Sequence, residues 1–156
     1  MWRLDGALVK ALEEHGVGSF FPIQRQVIPT VLQAERGQDA RMGDVCIAAP
    51  TGSGKTLAYV LPVVEVLMHR VVPRLRALVL LPTRDLVHQV AAVFRTYTAH
   101  TSLRVSYASA QRTFAAEQAD LKGGRVDILV CTPGRLVDHL DHTEGFGLEH
   151  LRYVVV

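Results

Sequence analysis

The chain has 156 residues, enough for one core-forming domain and too few for two comfortable ones. Hydrophobic residues make up 49%, which argues a packed core rather than disorder. The net charge of +2, from 17 basic and 15 acidic residues, excludes a strongly polybasic nucleic-acid binder but leaves room for a local basic groove.

Met1-Trp2-Arg3-Leu4-Asp5 does not open a signal peptide, because Asp5 and Lys10 interrupt any apolar region. No apolar run reaches the roughly 18 residues of a membrane span. Leu4, Leu8, Ala11 and Leu12 follow helical spacing, and Gly16 is placed to cap that helix. A second helical pattern runs through Ile23, Val27, Ile28, Val31 and Leu32, with Pro29 expected to bend or end it. Gln33 to Gly43 reads as a surface loop.

From there the chain alternates. Strands are expected at Val45–Ala49, Ala77–Leu81, Val105–Ala108, Asp127–Cys131 and Tyr153–Val156. Helices are expected at Leu57–Val71, Asp85–Tyr97, Thr113–Leu121 and Gly134–Leu140. Continuously apolar strands alternating with helices predict an α/β fold, a three-layer parallel sheet covered on both faces. In such sheets ligands bind beyond the carboxyl ends of the strands. The polar segments Pro50–Thr56, Pro82–Arg84, Ser109–Arg112 and Thr132–Arg135 each follow an apolar run there. Cys46 and Cys131 lie in such runs and are expected to be buried strand residues, not a disulfide. His139 and His142 could share a helix face, but no Cys or carboxylate pattern completes a zinc site.

Ala49 to Thr56 reads A-P-T-G-S-G-K-T, the composition and spacing of a phosphate-cradling loop with Ala49 in place of the first Gly. Glycines let backbone N–H groups turn toward an anion, a Lys reaches the β/γ-phosphates, and a hydroxyl holds Mg²⁺. The helix that follows adds its N-terminal dipole.

Three further segments flank this loop: F-P-I-Q at Phe21–Gln24, P-T-R-D-L at Pro82–Leu86 and T-P-G-R at Thr132–Arg135. By itself the first reads as a turn and helix start. The others read as helix N-caps with a nearby Pro. In this order and spacing they resemble the first RecA-like domain of the DEAD-box RNA helicases, over about Leu4 to Val156. The resemblance implies residues 1–43 as Q-motif helices and a surface loop, and 44–156 as a RecA-like ATP-binding domain incomplete at its C-terminal end. Gln24 would read the adenine. Ala49, Pro50, Thr51, Gly52, Ser53, Gly54, Lys55 and Thr56 would cradle ATP, with Lys55 and Thr56 the catalytic pair and Thr56 on Mg²⁺. Pro82, Thr83, Arg84, Thr132, Gly134 and Arg135 would hold RNA backbone, independent of its sequence. T-P-G-R-L-V-D-H at Thr132–His139 looks most like the nucleolar members that act in large-subunit ribosome assembly. That implies an intracellular, nucleolar monomer that meets pre-ribosomal particles.

Departures from the family's pattern are Val17 for the Phe of its Gly-Phe, Asp85 for Glu, and Ala110-Gln111 for a Gly-Gly turn. The upstream aromatic that packs on adenine would fall before Met1. In the family D-E-A-D follows the strand that matches Tyr153–Val156. With no such motif in the chain, this polypeptide is expected to hydrolyse ATP negligibly, its parent being the RNA helicase. Two other readings stay open: a non-catalytic RNA- or partner-binding module, and a different P-loop enzyme, which leaves F-P-I-Q, P-T-R and T-P-G-R unexplained.

Overall fold

The computed structural model describes residues 4–35, 37 and 43–156. Among these, α1 (Gly6–Glu14) and α2 (Pro22–Glu35) precede α3 (Lys55–Leu67) and β1 (Ala77–Leu80). Then follow α4 (Arg84–Thr98), β2 (Val105–Ala108), α5 (Phe114–Leu121), β3 (Ile128–Cys131), α6 (Pro133–His142) and β4 (Tyr153–Val155). The strands form one sheet in the order β2-β3-β1-β4, every neighbouring pair parallel.

Side chains alternate across the sheet with the period of two that extended backbone imposes. Ala77, Val79, Ile128 and Val130 join a core with Leu8, Ile28, Leu61 and Phe94, contributed by α1 to α4. Leu78, Leu129 and Cys131 point the other way, to Leu121 of α5 and Leu136 of α6. Helices therefore cover both faces, as expected of apolar parallel strands.

Asp5 caps α1 by accepting from the Ala7 N–H at 2.9 Å. Gly16, at φ +68°, ends the helix where the sequence placed its cap, and Val17 N–H returns to Leu12 C=O at 2.9 Å. Pro29 does not end α2, which runs on to Glu35. A proline inside a helix costs about 3 kcal/mol. Val27, Ile28 and Leu32 on the same face are buried, each contributing about 1.5–3 kcal/mol, so tertiary packing outweighs it. Gln33–Glu35 are therefore helix rather than loop. Residues 36 and 38–42 of the expected loop lie outside the described residues.

α3 stops at Leu67, short of the expected Val71. Just past the end of α3, Arg70 is held by residues flanking β2 and β3. Its guanidinium grips the Asp127 carboxylate, donating to Oδ2 at 2.7 Å and to Ser102 C=O at 2.7 Å. The pair is buried, with Asp127 fully shielded.

One expected strand is absent. Residues 44–50 carry no strand pairing, Val45 is 42% exposed and Cys46 is exposed. An apolar run becomes a strand only where a neighbour completes its hydrogen-bond ladder. Among the described residues β4 is the last strand on this side, and Val45–Ala49 pairs with none of the four. Cys131 is buried in β3 as expected, while Cys46 is not.

Candidate nucleotide and nucleic-acid site

The loop before α3 takes its shape from two glycines in the left-handed region, Gly52 at φ +81° and Gly54 at φ +83°. A side chain is unfavourable in that backbone geometry, so these are positions that call for Gly. Lys55 opens α3, and its ammonium folds back onto the loop, donating to Ala49 C=O at 2.6 Å and Pro50 C=O at 2.8 Å. Thr56 sits in the first helical turn, near the phenol of Tyr59. Burial is the main reason the Tyr59 phenol is pushed up from its ordinary range. Ser53 Oγ is buried with no hydrogen-bond partner. An orphaned hydroxyl, an ammonium resting on loop carbonyls and a helix N-terminus are the donor set that a polyphosphate takes up. The residues fit ATP with Mg²⁺: Thr51 to Thr56 would hold the phosphates and Thr56 the metal.

Gln24 reaches this loop from α2. It is 3% exposed, accepts from Phe21 N–H at 2.9 Å and donates to Gly54 C=O at 3.1 Å. The F-P-I-Q segment is thereby clamped onto the P-loop, although thirty residues separate Gln24 from Gly54. One amide N–H and one acceptor lone pair of Gln24 remain beyond these two bonds.

The second group of residues gathers at the carboxyl end of the sheet. The register Leu80↔Cys131 brings the ends of β1 and β3 side by side, and Ala108↔Cys131 adds the end of β2. Pro82, Thr83 and Arg84 leave β1 there, all exposed. Thr83 caps α4 by accepting from Leu86 N–H at 3.3 Å. Arg84 has no ion pair or side-chain hydrogen bond among the described residues, so its guanidinium is available to a phosphate. Thr132 and Pro133 leave β3 into α6, and Thr132 makes no side-chain cap bond. Gly134 has open space where a Cβ would sit. No hydrogen bond or ion pair among the described residues joins this group to the P-loop group.

Arg135 behaves differently from Arg84. Its side chain is 14% exposed, and Nε donates to Glu117 Oε2 at 2.6 Å. Its guanidinium also lies over the Phe114 ring, 4.8 Å from the centroid. Glu117 is 1% exposed and is a residue that sequence reasoning passed over. Its one signal was position: Phe114, Glu117 and Leu121 fall on a single helical face, so a carboxylate interrupts an apolar stripe. Burial alone would raise the Glu117 carboxyl. Hydrogen bonds from Arg135, His139 and the Ser109 N–H outweigh it and hold the group below the usual carboxylate range. His139 is the fully buried partner, while His142 on the same helix is exposed.

A family profile described as DEAD/DEAH box helicase matches residues 21–156. ATP-dependent RNA helicase DDX51 of Homo sapiens is 49% identical across 96% of this chain and 24% of its own length. ATP-dependent RNA helicase dbp6 of Schizosaccharomyces pombe is 44% identical across 99% of this chain and 26% of its own. The chain thus spans about a quarter of the length of these relatives. Among solved structures, the yeast DEAD-box splicing factor Prp28 aligns with a TM-score of 0.80 at 29% identity, over 97% of this chain and 36% of that one. A DEAD box protein from Methanococcus jannaschii aligns with a TM-score of 0.83 at 25% identity, over 98% of this chain and 39% of that one. The parallel sheet, the P-loop ahead of α3 and the profile match agree: this chain belongs to the DEAD/DEAH box helicase family.

Proposed function

We propose that this chain is the ATP- and RNA-gripping part of an ATP-dependent RNA helicase. The observation that carries the proposal is the Gln24–Gly54 clamp, which joins an amide suited to adenine to a loop suited to phosphates. Lys55 leaves the carbonyls of Ala49 and Pro50 to meet the β/γ-phosphates, so binding exchanges two hydrogen bonds within the loop for contacts to the nucleotide. Mg²⁺, when bound, neutralises the phosphate oxygens, and Thr56 supplies its hydroxyl to it. Thr51 to Gly54 contribute backbone N–H groups, and Ser53 gains the partner it lacks. Single-stranded RNA lies along Pro82–Arg84 and Thr132–Gly134, held by sugar and phosphate without reading bases. In the whole protein, hydrolysis drives local strand separation. The T-P-G-R-L-V-D-H text supports work on pre-ribosomal RNA in the nucleolus, which imaging of a tagged full-length product would check.

Titration with fluorescent adenine and guanine nucleotides tests the core of this reading. Adenine nucleotides bind in preference. Lys55→Ala weakens them by about 2 kcal/mol or more, the range for losing a hydrogen bond to a charged group. Equal binding of the two bases, or no dependence on Lys55, would defeat it.

A further inference from the structure

The Glu117 carboxylate is shared by two segments placed at the RNA-facing edge. Oε1 accepts from the N–H groups of Ser109 at 3.1 Å and Ala110 at 3.3 Å. Oε2 accepts from Arg135 Nε at 2.6 Å and faces His139 Nε2 at 3.0 Å. His139 is itself fixed: its Nδ1 meets Thr143 Oγ1 at 2.8 Å, and its ring stacks on Phe114 at 4.5 Å. Ala110, which Glu117 holds, is the one non-glycine residue at positive φ among those described, at 60°. A left-handed alanine persists only where its surroundings over-determine it. Among the described residues no other acid bonds to both this turn and Arg135 of α6.

We propose that Glu117 is a positioning residue for RNA: it locks the Ser109–Arg112 turn to the N-terminus of α6 and takes up the charge of Arg135. This rests on the RNA-binding reading above. Arg135 then serves as a structural cation. Phosphates approaching α6 meet Thr132 and the backbone N–H groups at Gly134, presented at a fixed spacing from the turn. The role differs from that of Arg84, which has no ion pair among the described residues.

Anisotropy of a fluorescent ten-nucleotide oligouridylate, across a salt series and with nucleotide present, separates the possibilities. Glu117→Gln raises the net charge by one, so electrostatics alone would tighten RNA binding. Positioning predicts the opposite, a loss of about tenfold, because an amide nitrogen would face N–H donors. Nucleotide affinity and a cooperative melt are retained. Arg135→Ala also weakens RNA, yet leaves the slope of log K against log salt unchanged, whereas Arg84→Ala reduces that slope by about one. Tighter or unchanged RNA binding by a folded Glu117→Gln chain overturns the proposal. So does a slope reduced by about one in Arg135→Ala, which needs no result from Glu117→Gln. If the unaltered chain binds nucleotide but not the oligomer, the RNA-binding reading itself falls.

Discussion

Gly54→Ala probes the joint between α2 and the P-loop. Two costs add. First, φ +83° places a non-glycine residue in the left-handed region, at about 1–2 kcal/mol. Second, the new Cβ would stand 2.3 Å from Gln24 Nε2 and 2.8 Å from Phe21 Cδ2. Gln24 is buried and must give way, losing its bonds to Gly54 C=O and Phe21 N–H. At about 0.5–1.5 kcal/mol for each bond, the total reaches roughly 2–5 kcal/mol. Gly52→Ala is the internal control: φ is +81°, but nothing lies within 4 Å of its Cβ, so only the first cost applies. Urea unfolding with an unchanged m-value reads both. The expected gap between the two variants is about 1–3 kcal/mol, with nucleotide affinity falling further in Gly54→Ala. Equal destabilisation within about 0.5 kcal/mol would refute the Gln24 clamp as an energetic link.

Three other outcomes are expected. Arg70→Met leaves Asp127 buried without its cation and costs about 3–5 kcal/mol in chemical unfolding, while removing both partners costs less. A loss below about 1 kcal/mol would mean the pair behaves as a surface contact. Burial first, then the Glu117 charge, pushes the Cys131 thiol up to about 12. A thiol reagent at pH 8 should therefore label Cys46 quickly and Cys131 only after unfolding, since its thiolate fraction is on the order of 10³ below that of an ordinary cysteine. Two equivalents reacting at one rate would contradict this. The Glu117 carboxyl is depressed in the folded state, so its contribution is present above the ordinary carboxylate value of 4.5 and is lost as pH falls through the folded value. The acid limb of a stability–pH profile should accordingly be shallower in Glu117→Gln, and an identical limb would remove Glu117 from the acid response.

Much of this chain was legible as text. Strands β1, β2 and β3 and helices α4 to α6 lie within a residue or two of their expected bounds, because each shows an apolar period and most are flanked by Thr, Pro or Gly. The P-loop was equally plain, since left-handed turns beside a phosphate leave few choices but Gly. Partnership was not legible. Val45–Ala49 has the composition of a strand, yet strand character depends on a neighbour's backbone. Pro29 has the chemistry of a helix breaker, yet three buried side chains carry α2 past it.

The candidate site divides the same way. Local chemistry placed Gln24 and Arg84 at helix starts, and the structure sets Gln24 on the P-loop and leaves Arg84 without an ion pair or side-chain hydrogen bond among the described residues. Arg135 looked identical to Arg84 in one dimension. Its charge was decided by Glu117, eighteen positions earlier and in a different helix. The sequence by itself determined the α/β class, four strands of the sheet with their two apolar faces, and the phosphate loop, because those follow from short-range periodicity and backbone freedom. Only the tertiary structure decided which cations remain free and which acid holds them, because ion pairing and hydrogen bonding depend on distance in space, and spacing along the chain does not supply it.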